Sequence, residues 1–131
     1  MLEKQLKDVP FFATLSKSEL RAVANQTDEV EVKEGKVLTR QGDFGQEFFV
    51  IESGTADVSR DGERIADLGP GDFFGEMALL DEDRRTATVT ATSPMTVIIM
   101  TRASFRDLDR SLPEVHATVA RAIESRRAQA V

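Results

Sequence analysis

Hydrophobic and polar positions divide the chain into three zones, a β-like one between two helical ones. Near the N-terminus, in "LSKSEL", Ser16 is followed three residues on by Glu19, the pattern of a helix capping box. Leu15 and Leu20 flank it where a hydrophobic staple would join them, so a helix is expected from Ser16 through about Asn25. From roughly Thr27 to Thr101 the period drops to two. "EVEV", "VLTR" and "ADVSR" alternate, while "FFVIE" and "MTVIIM" are denser apolar runs. Turn signals recur at Gly35, Gly42, Gly54, Gly62, Gly69-Pro70-Gly71 and Ser93-Pro94, and Asp61-Gly62 is the sharpest hairpin signal among them. About eight short strands joined by glycine turns predict an antiparallel sandwich or jelly roll. Beyond Thr101 the helical period returns. "TRASFRDLDRSL" reads as one short helix capped by Thr101. A second helix follows, opened by Ser111 and Glu114 as another capping box with Pro113 in the first turn. Its apolar stripe is Leu112, Val115, Val119 and Ile123.

The expected fold class is therefore mainly β with flanking helices. One domain over residues 1–131 would comprise an N-terminal helical segment (1–26), an antiparallel eight-stranded β-roll (27–101) and two C-terminal helices (102–131). A length of 131 residues suits one core rather than two. No run of about 18 apolar residues offers a membrane span, and the opening "MLEKQLKDVP" lacks the apolar stretch of a signal peptide. With no cysteine there is no disulfide framework, thiolate metal site or thiol nucleophile, and a cytoplasmic location is the default. The formal net charge of −6 argues against duplex DNA binding by this chain alone, because phosphate neutralisation dominates such affinity.

Candidate chemistry concentrates in "GDFFGEMALLDEDRRTATV", Gly71 to Val89, where Glu76 and Arg85 stand nine residues apart. A single helical turn starting at Gly75-Glu76 would point the amides of Met77 and Ala78 out of its N-terminus as an anion site. Gly75 admits a ligand close to the backbone. Arg85 supplies a planar fork for two phosphate oxygens, and an ionised Glu76, acceptor-only, suits a neighbouring hydroxyl. A phosphate beside a sugar hydroxyl is the implied ligand. A plainer use of the two charges is an intramolecular ion pair, which when exposed contributes about 0–1 kcal/mol. The glycine, the short turn and the small-residue run favour the ligand.

These residues resemble the phosphate-binding cassette of cyclic nucleotide-binding domains, in the form Phe74-Gly75-Glu76-Met77-Ala78-Leu79 and then Arg85-Thr86-Ala87-Thr88-Val89. "VPFFATLSKSEL", "RQGDFGQEFFVIESG" and the closing helices resemble the family's opening helical motif, central strand-turn-strand and final helices, so the likeness covers nearly the whole chain. The resemblance implies that Glu76 takes the ribose 2′-hydroxyl and Arg85 the cyclic phosphate. It implies that Gly75, Met77, Ala78 and Ala87 give backbone contacts. Arg84 is the neighbour most easily confused with Arg85, and alternation sends the two side chains to opposite faces. Thr86 bears on base choice and tilts slightly toward guanine. The expected ligand is cAMP first and cGMP second, on family frequency.

The resemblance further implies that the last helix swings over the base as a lid, with Val119 or Ile123 as apolar contacts and Arg126 or Arg127 as stacking cations. The same stripe would serve equally as permanent core or as the seam of a homodimer. The output partner, an effector protein or domain, is not legible. A ligand-free β-roll interaction module is the alternative function. Phe73, Phe74, Leu79 and Val89 are expected in the core rather than against a base, and His116, the single histidine, facing solvent. One histidine and no cysteine give no metal-ligand set, and no nucleophile or tuned acid pair marks an enzyme.

Overall fold

The computed structural model describes residues 2–80 and 84–129, with side chains described for residues 3–80 and 84–125. Helix α1 (Leu2–Lys7) and a 3₁₀ turn (Pro10–Phe12) precede α2 (Lys17–Ala24), where a single N-terminal helix was expected. The capping box of α2 forms as anticipated: Glu19 N donates to Ser16 Oγ at 3.2 Å, and Ser16 N to Glu19 Oε1 at 2.7 Å. Leu15 and Leu20 are both buried beside it.

Eight antiparallel strands follow: β1 (Asp28–Val32), β2 (Val37–Thr39), β3 (Glu47–Ser53), β4 (Ala56–Arg60), β5 (Glu63–Leu68), β6 (Phe73–Phe74), β7 (Thr88–Ala91) and β8 (Met95–Thr101). They form two four-stranded sheets, ordered β1-β8-β3-β6 and β2-β7-β4-β5. This is the predicted β-roll with flanking helices. Asp61 and Gly62 join β4 to β5 with positive φ at both positions (54° and 83°), the geometry that a two-residue hairpin demands and that an Asp-Gly pair tolerates.

Two apolar clusters result. The roll core lies between the sheets and holds Phe49, Ile51, Ala56, Val89, Met95 and Val97. The helical core lies on the outer face of the first sheet. There Phe48, Val50, Ile98 and Met100 meet Leu6, Val9, Phe12 and Val23 from the N-terminal segment. Phe105, Leu108, Val115, Val119 and Ile123 reach the same cluster from the last two helices.

The closing helices are α3 (Arg102–Ser111) and α4 (Pro113–Gln129). Thr101 caps α3 as expected, accepting from Ser104 N at 3.1 Å. The second predicted capping box does not form. Ser111 is still the last residue of α3, and its hydroxyl turns back to the carbonyls of Asp107 and Leu108. Leu112, the residue between the two helices, precedes α4 instead, its carbonyl accepting from His116 N at 3.1 Å. That role leaves the Leu112 side chain exposed, outside the stripe assigned to it. His116 also departs from expectation. Its ring packs on Phe105 with centroids 4.3 Å apart, and it is half-buried rather than solvent-facing.

Candidate ligand-binding site

The predicted single turn forms at Glu76–Leu79 as a 3₁₀ helix, with Gly75 as its N-cap at φ 82°. Tight 3₁₀ winding changes one expectation. The Ala78 amide is bonded to the Gly75 carbonyl at 3.1 Å, so it is not among the open donors. The turn is anchored from behind, with Leu79 buried in the helical core and Met77 packed against it.

Opposite the turn, residues 84–87 are fastened to the loop before β3. Gly42 N donates to Arg85 O at 2.9 Å and Arg85 N to Asp43 O at 2.7 Å, while Phe44 and Arg84 form an isolated bridge. Thr39 Oγ1 donates to Ala87 O at 3.2 Å from below. The two arginines diverge. Arg84 donates to Gly42 O at 2.7 Å and lies over the Phe44 ring at 4.4 Å. Arg85 turns toward β3, where its Nη2 donates to Glu47 O at 2.7 Å.

Space for the Arg85 guanidinium comes from two glycines. A Cβ on Gly45 would overlap its Nε and Cζ, and one on Gly75 would lie 2.7 Å from its Nη1. Burial pushes the Arg85 pKa below its ordinary value, the nearby Glu47 carboxylate opposes that shift, and Arg102 adds to it. The result is a cation that has lost part of its hydration and regains stabilisation from an incoming anion.

Gly75, Glu76, Met77, Ala78, Arg85, Thr86 and Ala87 all border one cleft of about 890 Å³. Its remaining walls include Thr39, Arg60 and Arg84 and an apolar side of Val58, Leu68, Phe74 and Val89. Such a cleft combines a cationic pole with an apolar wall, and its volume lies in the range of small-ligand sites. Phe74 and Val89, expected in the core, do both jobs. Phe74 stacks on Phe49 at 4.8 Å within the roll core, and each also faces the cleft. Phe73 and Leu79 belong to the helical core as expected.

Val119 and Ile123 are not in the cleft. Both are 0% exposed within the helical core, since α4 packs against α3, the Pro10–Phe12 turn and the Glu76–Leu79 turn. As contacts to a base they are displaced in this conformation, and the permanent-core use of the stripe describes them here. The side chains of Arg126 and Arg127 lie outside the described residues.

Three functional candidates escaped the sequence. Gly45 has no local signal, because the side chain it makes room for lies 40 positions on. Arg60 reads as an ordinary exposed strand end. Arg102 opens α3, yet it is 7% exposed and donates through Nε to Ala78 O at 2.8 Å and through Nη2 to Gly45 O at 2.7 Å. A buried arginine there clamps the turn and the glycine loop to the start of the C-terminal helices. No group of three or more potential metal-ligating side chains occurs among the described residues.

The chain is similar to known proteins at both sequence and structure level. The cAMP-dependent protein kinase regulatory subunit of Schizosaccharomyces pombe is 34% identical over 109 residues, covering 82% of this chain and 26% of the relative. The chain thus spans about a quarter of the length of the curated relatives it matches. Among solved structures, the N-terminal domain of a transcriptional regulator from Streptomyces coelicolor superimposes with a TM-score of 0.86 at 25% identity, covering 95% of this chain and 91% of that one. The regulatory domain of Toxoplasma gondii PKA, crystallised with cAMP, gives 0.73 at 34% identity, covering 81% of this chain and 42% of that one. The family model described as "Cyclic nucleotide-binding domain" matches residues 29–111. By sequence and by fold, the chain belongs to the cyclic nucleotide-binding domain family.

Proposed function

We propose that the chain is a cyclic nucleotide sensor that takes cAMP, with cGMP as second choice, in the cleft between the Glu76–Leu79 turn and residues 84–87. The observation that carries this reading is the Arg85 guanidinium, half-buried between two glycines and bordering a cleft it shares with Glu76. In this reading Arg85 takes the cyclic phosphate, Glu76 the ribose 2′-hydroxyl, and the apolar wall of Val58, Leu68, Phe74 and Val89 the base. The cAMP carried by the Toxoplasma relative supports the choice of ligand. Binding, rather than catalysis, is the activity assigned.

Signalling would pass through Arg102. It holds the carbonyl of Ala78, in the turn that meets the phosphate, and sits at the first position of α3. Any inward shift of the turn pulls on that bond, and α3 in turn packs against α4. A ligand can move this equilibrium only by its differential affinity for the two arrangements, typically about 1–3 kcal/mol. The receiver of the signal is an effector protein or domain that this chain does not identify.

Calorimetric titration with cAMP and cGMP tests the reading, on protein unfolded and refolded to strip bound nucleotide, alongside Arg85→Ala. Micromolar or tighter binding should be weakened by about 2–5 kcal/mol in the variant, the cost of leaving the phosphate unpaired. Absence of heat with either nucleotide, in folded protein, would leave a ligand-free interaction module.

A further inference from the structure

Part of the apolar wall of the cleft is carried by a hairpin that does not carry Arg85. Val58 and Leu68 stand on β4 and β5, and β5 ends its sheet beside β4. The pairing of the two strands shifts at an irregularity between Val58 and Ser59. Such a bulge bends a strand locally, so the hairpin tip needs tethers of its own to hold its angle. Gln41 supplies one. Asp61 N donates to Gln41 Oε1 at 2.8 Å and Gln41 Nε2 donates to Asp61 Oδ1 at 2.9 Å, so one carboxamide meets both the backbone and the side chain of the turn. The backbone of Gln41 is fixed on the side of the cationic pole. Its N donates to Thr88 Oγ1 at 3.0 Å, and the next residue, Gly42, donates from N to Arg85 O at 2.9 Å. Arg60 Nε adds a second tether from the hairpin to Thr86 O, at 3.0 Å.

We infer that Gln41 is a positioning residue: it clamps the hairpin tip to the loop fastened to Arg85, and so sets the span between the cationic pole and the apolar wall. The inference rests on the nucleotide reading above and deepens it. Gln41 is not among the residues lining the cleft and acts through Asp61. A ligand that engages pole and wall together needs their spacing held to within about 0.5 Å. A carboxamide is the group this clamp requires, because its oxygen accepts from the Asp61 amide while its NH2 donates to the Asp61 carboxylate. A carboxylate in its place would still accept from the amide, but would meet the Asp61 carboxylate as a like charge at hydrogen-bond distance. Converting Asp61 to its amide then returns the missing donor. Asparagine also accepts the positive φ of 54° found at this turn position.

The test measures cAMP and cGMP binding by calorimetry, and dissociation rates by surface plasmon resonance, on wild type, Gln41→Glu and Gln41→Glu/Asp61→Asn. Gln41→Glu should weaken binding of the nucleotide that wild type prefers by about fivefold or more, the scale of one lost hydrogen bond. The loss should lie in the dissociation rate with the binding stoichiometry unchanged, whereas a merely structural defect would lower the competent fraction. The double variant should recover most of the loss. Unchanged affinity in Gln41→Glu, a fall in stoichiometry alone, or a double variant as weak as the single one overturns the inference and leaves the sensor reading standing. Wild type that binds neither nucleotide overturns the sensor reading and this one with it. Should Gln41→Glu not fold by circular dichroism, Gln41→Met, which keeps the length and loses both side-chain bonds, decides instead: faster dissociation supports the clamp and an unchanged rate overturns it.

Discussion

At the residue scale, the guanidinium of Arg85 occupies room that two absent Cβ atoms leave, and the two glycines differ in what else they do. Gly75 combines a left-handed φ of 82° with a carbonyl, Glu47 O, only 2.8 Å from where its Cβ would stand. Gly45 carries no such φ, and the three heavy atoms nearest its Cβ would all belong to the Arg85 side chain. Gly45→Ala should therefore displace Arg85 and weaken nucleotide binding at least about tenfold, or 1.4 kcal/mol. Its unfolding free energy should move by less than about 1 kcal/mol, since the clash involves one flexible side chain. Gly75→Ala should lose binding and stability together, the strained backbone alone costing about 1 kcal/mol or more. Paired calorimetric and urea-denaturation measurements separate the two. That Glu76, Arg85 and Thr86 would border one cleft was legible in the sequence, because it follows from local spacing around one turn. Gly45 and Arg102 were not, because their partners lie 40 and 57 positions away along the chain.

At the scale of elements, the Glu76–Leu79 turn and α3 are joined by one buried side chain. Arg102→Met keeps most of the volume while removing the donors to Ala78 O and Gly45 O. The expected cost is about 2–4 kcal/mol of unfolding free energy, from two charge-assisted hydrogen bonds whose carbonyls stay behind unpaired. Nucleotide-dependent protection of residues 113–129 in hydrogen exchange should also shrink relative to wild type, and a variant that keeps it in full would remove Arg102 from the signalling route. Helix ends show why local chemistry is a partial guide. Ser16 and Glu19 complete a capping box because Ser16 lies outside the helix it opens, and its hydroxyl accepts from Glu19 N even with Ser18 Oγ 3.3 Å away. Ser111 fails at the same task because α3 persists through it and claims its hydroxyl for the carbonyls of Asp107 and Leu108. The short α1 was missed because six residues of mixed charge carry too little periodicity, and its place is set by burial of Leu6 against the rest.

At the scale of the whole molecule, two cores share the wall formed by β3 and β8. Glu52 sits at one end of that wall with its Oε1 buried and, among the described residues, without a hydrogen-bond partner. The adjacent Glu29 carboxyl, able to share a proton, and then burial push the Glu52 pKa above its ordinary value of 4.5, which a Gln5 contact from α1 partly offsets. The native state thus holds this proton to higher pH than the unfolded chain does, so stability falls as pH rises from 4.5 through the raised value. Glu52→Gln should abolish that fall, giving a higher melting temperature than wild type at pH 7–8 and no gain near pH 4; a difference independent of pH would count against the carboxyl pair. The shared wall also bears on how the fold finds its register. In most strands a slip of one residue turns apolar side chains out to water, which forbids it. In β3 the slip would exchange Phe48 and Val50 with Phe49 and Ile51, trading one apolar set for another between two dry interiors. Hydrophobicity is nearly silent there, and alignment has to be written at the strand ends. One end carries the Glu47–Thr101 pairing and the bond from Arg102 N to Gln46 O; the other carries the bulge between Ile51 and Ser53. Those few end residues, rather than the large side chains between them, decide which face of the strand each core receives.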